Sequence, residues 1–125
     1  MAQNFRSLDV WHLGVELAET VYRVTARFPK SELFALSSQM RKAAISIPSN
    51  IAEGRARGSG KEFLHFLSIS RGSLAELETQ LELAIRLDYT GSDLHAARTQ
   101  SEVLGKKLNR LQTTIRSQLP TAKSQ

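Results

Sequence analysis

Cysteine is absent from this 125-residue chain, which excludes disulfides, thiolate metal sites and thiol nucleophiles and fits a reducing compartment. Proline and glycine are sparse, three and seven, so long uninterrupted segments are expected. No stretch reaches the ~20 consecutive apolar residues needed to span a bilayer. The first residues, Met1–Asp9, lack the charged-then-apolar pattern of a signal peptide, and the expected location is the cytoplasm. Strand-like alternation is missing and β-branched residues do not cluster, which leaves a single all-α domain. A chain of this size buries roughly two-thirds of its extended surface on folding, enough for a core without staples.

What the chain has is helical periodicity and unevenly placed charge. The net charge of +5 is made of a neutral segment 1–40, a basic segment 41–71, an acidic segment 72–93 and a basic segment 94–125. Basic segments attract phosphate, and alternating blocks of opposite sign can also steer self-association.

Four periodic segments are predicted, over about 8–27, 31–53, 60–87 and 93–119, with 120–125 as a disordered tail. In the first, Trp11, Val15, Ala18, Tyr22 and Thr25 form one row, and Leu13, Leu17, Val21, Val24 and Phe28 a second beside it. In the next, Leu33, Leu36, Met40, Ala43, Ile47 and Ile51 face inward, Gly54 reads as a C-cap, and Pro48 is expected to kink or break the helix near Ile47. Ser46, Ser49 and Asn50 can serve the carbonyls a proline frees, with Gly72 and Ser73 as a matching small patch. Ser59 and Glu62 form an S-x-x-E capping box that opens the third segment, where Phe63, Leu67, Ser70, Leu74, Leu77, Leu81 and Ala84 keep a strict 4-3 spacing. The fourth, cap-started at Ser92 or Asp93, repeats through Leu94, Ala97, Ser101, Leu104, Leu108, Leu111 and Ile115 until Pro120 stops it. Short connections make the economical arrangement an antiparallel up-and-down four-helix bundle.

Particular residues also carry a resemblance. Ser46-Ile-Pro-Ser-Asn-Ile-Ala-Glu-Gly54 resembles a signature of the bacterial four-helix-bundle proteins encoded in 23S rRNA intervening sequences. Lys61-Glu62-Phe63 and Gly72 to Gln80 look like that family's third helix, and Asp9-Val10-Trp11 with Phe28-Pro29 suit its first helix and turn. The resemblance implies a four-helix bundle assembled as a ring-like homo-oligomer, a homopentamer. It implies, more distantly, a likeness to accessory proteins of diversity-generating retroelements, in which a basic pentamer engages reverse transcriptase and nucleic acid.

Catalytic readings fare poorly. Glu62-x-x-His65 and Asp9-x-x-His12 have the spacing of a di-metal bundle site, but both lie at helix starts, where their carboxylates serve the helix end. Gly54 to Gly60 is glycine-rich without a preceding strand or Walker spacing. No enzyme activity, metal or cofactor is expected.

The functional reading is therefore one of surfaces. Arg55, Arg57 and Lys61 surround a loop that opens a helix, with Arg41 and Lys42 before it and Arg71 after it; Lys106, Lys107 and Arg110 form a second basic run. Together they suit the backbone of RNA or DNA, against the plainer reading that they are solvated charges. Phe63 and Phe66 read as packing residues, so base stacking is not expected. Leu13, Leu17, Leu64, Phe66 and Ile69 exceed what one bundle stripe buries and read as an interface between subunits, or with a partner protein for which the chain is a scaffold.

Overall fold

The computed structural model describes residues 4–89 and 92–120; of the expected tail over 120–125, residues 121–125 lie outside them. A 3₁₀ turn, Phe5–Ser7, leads into four helices: α1 Asp9–Thr25, α2 Leu36–Ala56, α3 Gly60–Arg86 and α4 Ser92–Gln118. No strand occurs among the described residues. Each helix packs on its neighbours in sequence, and α1 closes against α4. Asp9, at the start of α1, meets Lys107 in the second half of α4, and Arg27, just past α1, meets Asp93 at the start of α4. The helices therefore run antiparallel in turn.

The core follows the 4-3 spacing. All seven positions read on α3 are buried, as are Leu94, Ala97, Ser101, Leu104, Leu108 and Ile115 on α4. On α1 and in the turn after it the core row is Val10, Leu17, Val21, Val24 and Phe28, while Trp11, Val15 and Ala18 lie half-buried and Tyr22 is exposed. Leu17, read from sequence as an interface residue, is fully buried and has no surface to offer another molecule.

The second helix starts at Leu36 rather than near Ser31. Pro29 holds an extended conformation, Lys30–Glu32 forms a 3₁₀ turn, and Glu32 Oε1 accepts the Leu36 amide at 3.3 Å. The carboxylate thus serves as the helix cap from outside it. Its other oxygen accepts the Tyr89 hydroxyl at 2.7 Å. Leu33, expected to face inward, lies in this turn and is 47% exposed.

Pro48 does not break α2, which continues to Ala56. The side chains of neighbouring residues serve the carbonyls beside it: Ser70 Oγ donates to Ile47 O at 2.8 Å, and Asn50 Nδ2 donates to Ser46 O at 2.8 Å. Ser46 and Ser73 hydroxyls meet at 2.7 Å across α2 and α3. The small patch on α3 is thus Ser70 with Ser73; Gly72 faces open space. On the far side, Gly14 of α1 comes close enough to Pro48 that a Cβ there would stand 3.2 Å from the proline Cβ.

Gly54 is also reassigned. It lies inside α2, not at its cap, because its bare Cα is needed where α3 crosses: a Cβ would stand 2.6 Å from Phe66 Cβ.

Candidate nucleic-acid interface

The antiparallel order brings the start of α1, the end of α2, the start of α3 and the end of α4 to one end of the bundle. Residues 4–17, 46–73 and 105–120, which make up that half, carry nine basic side chains against four acidic ones. The other half, residues 18–45, 74–89 and 92–104, carries seven basic against eight acidic. The two basic stretches, separated in sequence by an acidic one, converge in space. The acidic stretch falls at the opposite end.

Of the cations picked out by sequence, Arg55, Arg57, Lys61, Arg71, Lys106, Lys107 and Arg110 lie in the basic half. Arg41 and Lys42 do not. Arg41 stands on the first half of α2, where its Nε donates to Thr25 Oγ1 at 2.8 Å and its guanidinium covers the Tyr22 ring at 4.9 Å. Arg6, in the turn before α1, belongs to the basic end and carries no periodic signal that would single it out.

These cations are not equally free. Arg57 reaches Glu53 at 2.8 Å and Glu62 at 3.7 Å, so two carboxylates offset it. Lys107 is paired with Asp9 at 2.6 Å. Arg71 donates to Asn109 and Gln112, tying α3 to α4. Lys61, Lys106 and Arg110 are exposed, with no ion pair among the described residues. These three are the cations most available to a polyanion.

Phe63 is a core residue, as expected, and Phe66 is half-buried. Yet both rings are covered by cations: Arg55 lies 5.7 Å from the Phe63 centroid and Arg57 5.0 Å from that of Phe66. Cations and aromatics thus meet at this end of the bundle. The rings hold the arginines rather than offering a bare face to a base.

The residues with di-metal spacing are otherwise engaged. The Glu62 amide donates to Ser59 Oγ at 3.1 Å, the serine half of the capping box, while its carboxylate turns to the Ser59 hydroxyl and Arg57. His12 Nε2 contacts Arg6 O at 2.7 Å.

At the acidic end, burial and then Glu102 push the Glu78 carboxyl above the usual carboxylate range. The Arg86 hydrogen bond holds that of Glu82 below it. The hydrogen bond to Glu32 raises the Tyr89 phenol.

Two apolar features remain on the surface. An open groove of about 330 Å³ between α1 and α2 is lined by Phe5, Trp11, Val15, Ala18, Ile45 and Pro48. Phe34, in the turn before α2, is 91% exposed. Of the proposed interface residues, Leu13 and Leu64 are half-buried against the bundle's own core, Phe66 is half-buried where α3 crosses Gly54, and Ile69 is 39% exposed.

An all-α bundle of four helices with one basic end places the chain among small helical-bundle proteins. Its membership is specific: the chain belongs to the 23S rRNA-intervening sequence protein family, whose model matches residues 6–110. A crystal structure of a protein of unknown function from the S23 ribosomal protein family, from Bacteroides thetaiotaomicron, has a similar fold. Its TM-score is 0.75 at 24% sequence identity, over 83% of this chain and 95% of that one. No curated protein matches the chain.

Proposed function

We propose that this protein is a non-enzymatic, cytoplasmic, self-associating bundle that binds the phosphate backbone of RNA or DNA through its basic end. The observation that carries the reading is the convergence of nine cations against four carboxylates on one half of the molecule. Lys106 and Arg110 are like charges one turn apart on α4, an arrangement that costs helix stability and that a phosphate backbone offsets. Contacts of this kind are salt-sensitive and weakly sequence-specific. The family likeness adds the expectation of a homopentameric ring, which would multiply the basic end around an axis.

A second reading, a scaffold for a partner protein without nucleic-acid binding, is favoured by the α1–α2 groove and the exposed Phe34.

Light scattering with and without single-stranded RNA, at low and moderate salt, separates the two. Complex formation at low salt that weakens steeply with added salt supports the first. A stable oligomer indifferent to RNA at every salt concentration supports the second and ends the first.

A further inference from the structure

We propose that the turn joining α1 to α2 forms a binding site for a single phosphate group, free or as a monoester, held by Ser37, Lys30 and Arg41. A cavity of about 90 Å³ lies there, in the half of the molecule away from the basic end, and its lining includes Thr25, Lys30, Leu33, Ser37 and Arg41. Three serines are buried among the described residues. Ser70 and Ser101 each donate to a helix carbonyl. Ser37 is 1% exposed and lines the cavity, and its hydroxyl has no hydrogen-bond partner among the described residues. A buried hydroxyl left unmet is costly, so this one calls for a partner from outside the chain.

The charge of the lining selects that partner. Lys30 and Arg41 line the cavity and no carboxylate does. Lys30 is exposed, with no ion pair among the described residues. Arg41 is held by its Nε bond to Thr25 Oγ1 and by the Tyr22 ring, which leaves its terminal nitrogens for another acceptor. Glu32 is committed elsewhere, one oxygen to the Leu36 amide and the other to the Tyr89 hydroxyl. In the first turn of α2 the Ser37 and Ser38 amides have no carbonyl partner. Thr25 and Ala26, at the C-terminus of α1, form the facing wall. That helix end carries about half a negative charge, against two full cations. Water would satisfy Ser37 and leave both cations unbalanced; an anion answers both. Phosphate, with close to two charges at neutral pH, matches the pair better than a carboxylate. The cavity takes only a few heavy atoms, so a monoester would enter by its phosphate with its organic part outside.

The site stands apart from the basic end and does not rest on the nucleic-acid reading. The test titrates inorganic phosphate, glycerol 3-phosphate and acetate separately into the full chain by calorimetry. Ser37→Ala and Lys30→Gln are each expected to weaken phosphate binding about tenfold. Arg116→Gln, which removes a charge near the end of α4, is expected to leave it unchanged. Because the Ser37 hydroxyl makes no bond within the chain, Ser37→Ala without phosphate is expected to melt no lower than wild type. Comparable affinity for both phosphates supports a site open to monoesters, and binding of inorganic phosphate alone supports one for the free anion. No phosphate binding, acetate binding as tight as phosphate, or a loss as large in Arg116→Gln overturns the proposal. So does a markedly lower melting temperature in Ser37→Ala, which would give the hydroxyl a partner in the chain itself.

Discussion

Gly54 and Phe66 meet at the crossing of α2 and α3 so closely that a Cβ on the first would stand 2.6 Å from the Cβ of the second. Both atoms are rooted in helix backbone, so neither can swing aside. Gly54→Ala gains up to about 1 kcal/mol of helix propensity, but the clash forces the helices apart at a cost of about 1–3 kcal/mol. The expected outcome is net destabilisation, read as a lower urea midpoint. A variant as stable as wild type would show that the crossing has slack.

Ser70 is buried and donates to the Ile47 carbonyl, immediately before Pro48. Ser70→Ala leaves that carbonyl with one partner fewer and removes a hydrogen bond worth about 1 kcal/mol. Ser73→Ala, at the half-buried contact with Ser46, is expected to cost less. Chemical denaturation of both variants gives the order.

The two ends of the stability–pH profile have different owners. Tyr89 keeps its proton more firmly when folded, because its hydroxyl donates to Glu32. Its contribution is therefore complete below the ordinary phenol range near pH ~10 and is lost as pH rises through the raised folded value. Tyr89→Phe is expected to flatten the alkaline limb of a thermal-melt profile. An alkaline limb that is identical in the variant refutes the assignment.

Glu78 behaves oppositely to most paired carboxylates. Burial and the Glu102 charge raise its folded value, so its ionisation opposes folding at neutral pH and ceases to do so in acid. Glu78→Gln is expected to raise the melting temperature at neutral pH. The gain should fade as pH drops below the carboxylate range, where Glu78 is protonated in both states.

Lys106 and Arg110 separate stability from binding. Replacing Lys106 with Gln relieves a like-charge pair and is expected to raise stability by a few tenths of a kcal/mol. The same change is expected to lower RNA affinity and reduce the salt slope by about one unit, measured by gel shift over a salt series. An unchanged slope would remove Lys106 from the interface.

The sequence made the bundle legible where burial alone decides the pattern. Every position read on α3, from Phe63 to Ala84, is a core position. It misled where the answer depended on a neighbouring helix. Gly54 carries the mark of a helix end, and only the approach of Phe66 shows that the missing Cβ is what matters. Leu17 and Trp11 lie on adjacent apolar rows of α1, and spacing cannot rank them until α2 and α4 fix which row faces inward. Arg41 and Lys42 seemed to lead into the basic loop, yet fourteen residues of helix set Arg41 about 20 Å from Arg55.

The unequal halves of the molecule give it a moment along its long axis. In the field of a polyanion such an object feels a torque as well as a pull, and turns before it touches. Encounters would then begin with the Arg55 end foremost and the Glu78 end trailing, so orientation would be largely set in solution rather than found by search on the surface.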